Sequence, residues 1–327
     1  MPERTFLEAI RSALIDEMTA DQRVFVLGQD VGVKGGVFLV TDGLYQQFGA
    51  CRAIDMPIAE AGIVGAAIGA ALHGLRPVAE IQFADYIQPA VDQIINEAAK
   101  LRYRSAGDWT CPIVVRAPFG SGIHGALYHS QSTEALFTST PGLKVVIPAT
   151  PYDAKGLLIA AIRDPDPVVF FEHKQLYRTI RGEVPDGCYT VPLGTAAVRR
   201  TGRQISLFTY GLMLHHSLTA AEQVADEGID VEVVDLRTLY PLDRETILAS
   251  VRNTGKALIV HEDNLTGGIG GEISALICEY AFEYLDAPVR RLASPDVPAT
   301  AFNEALEAHF MLNADKIAHA LRELAAY

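Results

Sequence analysis

Short, strongly apolar runs alternate with helical stretches along the first half of the chain. This alternation restricts the possible folds more than any other feature of the sequence. The runs are rich in β-branched residues and lack the apolar–polar alternation of a strand with one exposed face. Such strands, separated by helices, are typical of a mostly parallel sheet covered on both faces, so the sequence predicts an α/β fold. The predicted strands are 24–27, 78–81, 113–116, 144–147 and 168–171, and the predicted helices are 5–18, 87–102 and 152–162.

The pattern changes between residues 175 and 194, where Arg181-Gly-Glu-Val-Pro-Asp-Gly187 is polar and turn-rich, as in an interdomain linker. A second α/β pattern follows. A chain of 327 residues has the usual length of about two domains. We therefore predict two α/β domains, 1–185 and 186–327. The second has predicted strands 205–210, 231–235 and 257–261, and predicted helices 214–227, 244–251, 272–284 and 317–326.

The charge and cysteine content restrict the function and the compartment. A net charge of −13 argues against nucleic-acid binding, which needs Lys and Arg to neutralise phosphates, but it suits a basic protein partner. The cysteines form no Cys-x-x-Cys pair, so they predict neither a zinc site nor a redox pair. No secretory leader or membrane-spanning run is recognisable, and we expect a cytoplasmic protein with free thiols. The cysteines are Cys51, Cys111, Cys188 and Cys278.

A histidine surrounded by hydroxyl and amide side chains stands out in Tyr128-His-Ser-Gln-Ser132, where a glycine-rich loop meets a new element. A histidine in such surroundings can exchange protons near neutral pH, so His129 is a candidate catalytic residue. The alternative is a loop histidine that only makes local hydrogen bonds.

Glu60 begins a segment unusually rich in small residues, from Ala61 to Ala71. An acidic residue in the first turn of a helix is favoured by the helix dipole, and this alone explains most such glutamates. Each glycine in a helix costs stability, however, which makes sense where another backbone or a ligand approaches closely. A poorly solvated carboxylate there would have a raised pKa, as a proton relay requires.

The segment Gln82-Phe-Ala-Asp-Tyr86 directly follows a predicted strand. Aromatic residues at the carboxyl end of a strand lie where open α/β sheets bind ligands. Phe83 and Tyr86 are therefore either pocket residues or ordinary core residues.

Three other motifs do not support a site. Gly267-Gly-Ile-Gly-Gly-Glu272 does not complete a dinucleotide-binding loop and lies several residues beyond its strand. His215 and His216 are adjacent, so on a helix they do not share a face for a metal. Gly120-Ser-Gly122 lacks the nucleophile elbow of a hydrolase.

Taken together, the chain resembles the beta subunit of thiamine-diphosphate-dependent 2-oxo acid dehydrogenases. The resemblance implies a transketolase-like fold, with a pyrimidine-binding parallel-sheet domain and a smaller C-terminal α/β domain. Several blocks in the same order make it specific. They are Leu27-Gly-Gln-Asp-Val-Gly32, Gly35-Gly-Val-Phe38, Pro57-Ile-Ala-Glu-Ala-Gly-Ile-Val-Gly65, Arg76-Pro-Val-Ala-Glu-Ile-Gln-Phe-Ala-Asp-Tyr86, Tyr128-His-Ser-Gln-Ser132, Pro141-Gly-Leu-Lys-Val-Val146 and Glu262-Asp-Asn-Leu-Thr-Gly-Gly268.

The resemblance implies that this chain holds half of an active site. The family forms α2β2 heterotetramers, and the alpha subunit holds the diphosphate and Mg²⁺ of thiamine diphosphate. Glu60 would share a hydrogen bond with the aminopyrimidine ring nitrogen, and Gln82, Phe83 and Tyr86 would line the pyrimidine pocket. His129 would transfer protons near the substrate carbonyl and the lipoyl group.

The resemblance also implies a potassium site and a second partner. The lipoyl-bearing acyltransferase core of the family docks on the C-terminal domain through a basic module, which suits the acidic net charge. Position 166 carries aspartate where the resemblance leads us to expect asparagine, and this departure weakens the expectation of a bound potassium ion. The implied potassium ligands are Ile113, Ala161, Ile162, Asp164 and Asp166.

The substrate is predicted from the local likeness of three segments. Residues 127–135, 151–158 and 170–178 look closer to branched-chain members than to pyruvate members. Pyruvate or acetoin remains the alternative substrate, since discrimination of one or two methylenes needs only about 1–3 kcal/mol. A non-catalytic scaffold subunit is a further alternative.

Overall fold

The apolar runs of the first half form a parallel sheet, as the sequence predicts. A computed structural model describes all residues, Met1–Tyr327. The strands lie in the order β6-β7-β5-β4-β2-β3, and every neighbouring pair is parallel. They are β2 (Val24–Gly28), β3 (Ala53–Asp55), β4 (Arg76–Glu80), β5 (Val114–Phe119), β6 (Lys144–Val146) and β7 (Val168–His173).

Two well-capped helices of this unit pack against each other, α1 and α6. The side chain of Thr5 caps the first helix and Glu8 completes a capping box, which satisfies otherwise unpaired backbone N–H groups. Thr150 caps the second, and Pro151 occupies its first turn. The helices up to the end of this unit are α1 (Phe6–Ala20), α2 (Leu44–Phe48), α3 (Glu60–Leu72), α4 (Leu101–Arg104), α5 (Ala135–Thr138), α6 (Pro151–Arg163) and α7 (Leu176–Thr179).

One local prediction in this region is wrong. Residues 87–102 are not one α-helix: 3-10 turns flank a π-helix at Gln93–Glu97 before α4 begins. Pro89 lacks a backbone donor, and such π segments interrupt the regular α-helical ladder. The predicted linker contains a strand, β8 (Arg181–Glu183), antiparallel to β1 (Glu3–Thr5).

The second unit has a five-stranded sheet in the order β14-β13-β10-β11-β9, with only β9 antiparallel to its neighbour. Its strands are β9 (Ala197–Arg200), β10 (Ile205–Thr209), β11 (Val231–Asp235), β13 (Ala257–Asn264) and β14 (Arg290–Ser294), and β12 (Thr238–Tyr240) follows β11 along the chain. Its helices are α8 (Leu212–Ala225), α9 (Arg244–Thr254), α10 (Ile269–Tyr280), α11 (Glu304–Phe310) and α12 (Ala314–Ala325).

The chain divides into two compact units, Met1–Phe119 with Leu136–Leu193, and Gly120–Ala135 with Gly194–Tyr327. Both are α/β units, in agreement with the predicted fold class. The division assigns the segment around His129 to the second unit. The predicted domain limits 1–185 and 186–327 stay a prediction. No helix combines the length and apolar character needed to cross a membrane.

Candidate active site

The predicted cofactor-pocket residues all follow strands that end at one edge of the first unit's sheet. The strands β3, β2 and β4 are parallel neighbours, so their carboxyl ends lie side by side. Glu60 comes soon after β3, and Gln82, Phe83 and Tyr86 come just after β4. Carboxyl ends of parallel strands are the usual ligand-binding edge of open α/β sheets.

Contacts at this edge fix the pocket residues predicted after β4. Gln82 Nε2 donates a hydrogen bond to Asp30 Oδ2 at 3.1 Å, which joins β4's end to the loop after β2. The Phe83 ring stands edge-on to Phe38, with ring centroids 5.3 Å apart, and edge-on to Tyr86 at 5.9 Å. Gln82, Phe83 and Tyr86 are half-buried, so part of the surface of each remains accessible.

Glu60 is the first residue of α3 and is half-buried. Its carboxylate makes no hydrogen bond or ion pair within the chain. The exposed face of the helix consists of small residues, including Gly62, Ala66 and Gly69. A Cβ atom added at Gly69 would meet nothing within 4 Å. Packing inside this chain therefore does not explain that glycine.

His129 follows a 3-10 turn (Ala126–Tyr128) and is half-buried. Its loop is closed by two hydrogen bonds: Gly120 N donates to the Gln131 carbonyl at 3.1 Å, and Ser121 Oγ donates to the Ser130 carbonyl at 2.8 Å. The structure thus places His129 in an internally bonded loop of the second unit, whereas the predicted pocket residues belong to the first.

A buried ionic network that sequence reasoning missed lies on β4, β5 and β7. Arg116 is fully buried, and its guanidinium donates to both carboxylate oxygens of Glu172 at 2.6 Å. A third hydrogen bond of 2.6 Å reaches Glu80 Oε2. The Tyr177 hydroxyl donates to Glu172 Oε2 at 2.6 Å. The charged groups are therefore paired, as buried charges need to be.

This network adjoins the pocket edge through the chain and through aromatic rings. Glu80 is the last residue of β4, two positions before Gln82. The Tyr177 ring contacts Phe38 at 5.3 Å, and Phe38 contacts Phe83. Burial raises the pKa of Glu80 against the opposing effect of Arg116. The sequence signal that pointed to this network was a charged residue inside two apolar runs, at Glu80 and Arg116, and one at the end of a third, at Glu172.

A second buried acidic group lies in the second unit. The Tyr210 hydroxyl donates to Glu134 Oε1 at 2.7 Å, and Asp263 Oδ2 accepts from Ala135 N at 3.2 Å. Burial, reinforced by the charge of Asp263, raises the pKa of Glu134 well above the usual carboxyl value. Burial lowers the pKa of His261 to about 4, so this histidine is neutral at physiological pH.

The predicted potassium ligands carry contacts to cationic side chains of the chain itself. Arg76 Nη1 donates to the carbonyls of Ile162 at 2.7 Å and Asp164 at 3.2 Å. Lys144 Nζ pairs with Asp164 Oδ1 at 2.7 Å and Asp166 Oδ2 at 3.3 Å. Cationic side chains therefore already contact the oxygens of Ile162, Asp164 and Asp166. We assign potassium no role in the chemistry. Potassium binding stays a prediction. The positions predicted were Ile113, Ala161, Ile162, Asp164 and Asp166.

Comparison with known proteins gives matches over nearly the whole chain. Residues 3–179 match the family "Transketolase, pyrimidine binding domain", and residues 194–317 match "Transketolase, C-terminal domain". A "2-oxoisovalerate dehydrogenase subunit beta" of Bacillus subtilis (strain 168) is 57% identical, with 100% of both chains covered. A "Pyruvate dehydrogenase E1 component subunit beta" of the same organism is 51% identical, covering 90% of this chain and 91% of the relative.

A solved structure, "Split gene transketolase, inactive beta4 tetramer", matches with a TM-score of 0.79 at 24% identity and covers 98% of both chains. At that identity the likeness concerns the fold. It confirms the predicted transketolase-like architecture.

Proposed function

Since this chain belongs to the family of 2-oxo acid dehydrogenase beta subunits, built from the two transketolase domains, we propose that it serves a branched-chain 2-oxo acid dehydrogenase. Together with an alpha subunit, and with thiamine diphosphate as cofactor, it decarboxylates the 2-oxo acid. The acyl group then passes to a lipoyl group of an acyltransferase core. We infer a cytoplasmic α2β2 assembly for it.

The observation that carries this proposal is the convergence of Glu60, Gln82, Phe83 and Tyr86 on neighbouring strand ends. A half-buried carboxylate without a partner in its own chain suits a donor supplied by a ligand. Half-buried aromatic rings suit the flat face of a pyrimidine. The residues present therefore fit the pyrimidine half of the cofactor.

Thiamine diphosphate, when bound, supplies the electron sink for decarboxylation, while the protein supplies geometry and proton transfer. Glu60 holds a proton at the ring nitrogen of the pyrimidine. Gln82 and the rings of Phe83 and Tyr86 orient the pyrimidine. His129 moves protons at the substrate carbonyl and the lipoyl acceptor.

The diphosphate and Mg²⁺ fall to the alpha subunit in this proposal. No group of three or more His, Cys, Asp or Glu side chains in the chain could hold a metal ion. The exposed small-residue face of α3, with open space over Gly69, suits close approach of a partner subunit. We therefore infer that the site is complete only in the assembly.

The branched-chain assignment follows the likeness of local segments and of the whole chain. The 2-oxoisovalerate relative is 57% identical over the full length, and the pyruvate relative is 51% identical. Because the second value is also high, pyruvate is the alternative substrate.

Glu60→Gln and His129→Ala test the two assigned roles in the assembled enzyme. Glu60→Gln should lower decarboxylation by a factor of about 10²–10⁴, the usual contribution of a proton-transferring group. His129→Ala should lower acyl transfer to a lipoyl acceptor. Both variants should still assemble on gel filtration, and Glu222→Gln and His319→Ala, which change exposed residues, serve as matched controls.

Full turnover in either variant would remove that residue from the mechanism. A complex that remained fully active with Glu60, Tyr86 and His129 all replaced would identify the chain as a scaffold subunit.

A further inference from the structure

The loop 120–131, here called the His129 loop, adopts a backbone that its own residues do not favour. His124 has φ +54° and Ala126 has φ +49°, and both lie in the left-handed region. Such a conformation costs roughly 1–2 kcal/mol for each residue with a Cβ atom. A Cβ at Gly125 would lie 2.5 Å from that of His129, so the two backbones are close. Contacts from outside the loop must therefore contribute to its shape.

The segment 300–307 of the same unit provides such contacts. Glu307 lies on α11, and its Oε2 is 2.5 Å from His124 Nδ1. Thr300 Oγ1 lies 3.5 Å from Ser121 Oγ, and both side chains are buried. Ser121 in turn donates to the carbonyl of Ser130, the neighbour of His129. Two separate contacts thus join this segment to the His129 loop.

The burial of Glu307 makes its contact energetically important. The Glu307 side chain is 3% exposed, whereas that of His124 is 68% exposed. Its other oxygen, Oε1, has no hydrogen-bond partner. A buried carboxylate that loses its partner is strongly destabilised, so opening of the loop is opposed by the unpaired acid it would leave. The His124–Glu307 pair, here called the latch, therefore stabilises the closed form of the His129 loop.

We infer that Glu307 and His124 are positioning residues that hold the His129 loop in the geometry for acyl transfer. This inference rests on the proposed role of His129. Proton transfer at the cofactor is assigned to Glu60 and not to either of these residues. Loss of the latch should consequently affect the transfer step while sparing the decarboxylation step.

The test uses the assembled enzyme with Glu307→Ala, His124→Ala, the double variant and Glu304→Ala. Glu304 lies exposed on the same helix and is the matched control. In both single variants, amide hydrogen exchange over 120–131 should become about tenfold faster, since opening of the loop is no longer opposed. Acyl transfer to a lipoyl acceptor should fall about tenfold in kcat, while decarboxylation with an artificial electron acceptor stays within about twofold. The double variant should be no worse than either single one.

Unchanged exchange in the loop, additive losses in the double variant, or an equal fall of both activities would overturn the latch. The proposed function fails in a different way. If His129→Ala keeps full acyl transfer, the role of His129 is lost, while hydrogen exchange still reports whether Glu307 and His124 hold the loop.

Discussion

Arg116 is buried between two carboxylates, and its replacement by methionine gives a stringent test of the network beneath the pocket edge. The substitution keeps much of the side-chain volume and removes the charge. Glu172 and Glu80, with 0% and 4% exposed side chains, would then face each other without a cation. Removing one partner of a buried ion pair costs about 3–5 kcal/mol. With two carboxylates affected, we expect the free energy of unfolding to fall by at least that amount.

The loss should also depend on pH. Burial already raises the pKa of Glu80, and loss of Arg116 raises it further. A carboxyl group with a raised pKa in the folded state is destabilising when the pH lies above the unfolded pKa, whose ordinary value is 4.5. The deficit of Arg116→Met should therefore be large at pH 8 and shrink as the pH falls towards 4.5.

Urea denaturation followed by circular dichroism at several pH values measures both effects. Arg116→Met combined with Glu80→Gln and Glu172→Gln should recover most of the loss, because no buried charge is left unpaired. Arg322→Met is the matched control. Arg322 makes a similar bidentate ion pair with Glu227 at the surface, where ion pairs contribute little to stability. A loss below about 1 kcal/mol for Arg116→Met, or an equal loss in the triple variant, would refute the reasoning.

Three further stability predictions follow from buried groups and from one glycine. Glu134→Gln should become more stable than the parent as the pH rises above 4.5, because burial raises the pKa of Glu134; a pH-independent difference in urea titrations would contradict this. Burial lowers the pKa of His261 from 6.5 to about 4, so the parent should lose roughly 3 kcal/mol of stability as the pH falls between those values. His261→Gln should remove that loss. Gly142→Ala should lower the melting temperature far more than Gly228→Ala. A Cβ at Gly142 would lie 2.0 Å from the Ala99 carbonyl oxygen, whereas one at Gly228 would meet nothing within 4 Å. Equal shifts of the two melting temperatures would contradict this prediction.

The central strands of both sheets and most of the long helices could be predicted, because continuous apolar runs leave little choice of structure. The strands starting at Val24, Ile205 and Val231 begin at the predicted residue. Short and irregular elements could not be predicted. The strand Arg181–Glu183 is three residues long and has exposed ends, so it carries no hydrophobic periodicity. The irregular helical turns after Pro89 depend on tertiary packing, which a pattern of apolar residues does not encode.

The place of Glu60 at the head of a glycine-rich helix was predictable, because an acidic residue in a first turn serves a local purpose, and its role at a cofactor stays a prediction. The contacts between distant segments were not predictable. Glu307 and His124 lie 183 positions apart, and neither shows a pattern that points to the other. The pairing of Arg116 with Glu172 had a sequence signal, a charge in an apolar run, but its geometry required the sheet order.

The most direct test of the proposed function is decarboxylation of 3-methyl-2-oxobutanoate and of pyruvate with an artificial electron acceptor. The isolated chain, the isolated cognate alpha subunit and their complex are compared, each with Mg²⁺ and thiamine diphosphate. We predict activity in the complex alone, with faster turnover of the branched acid. Faster turnover of pyruvate would contradict the branched-chain assignment, and activity of the isolated chain would contradict the claim that it holds half of the active site.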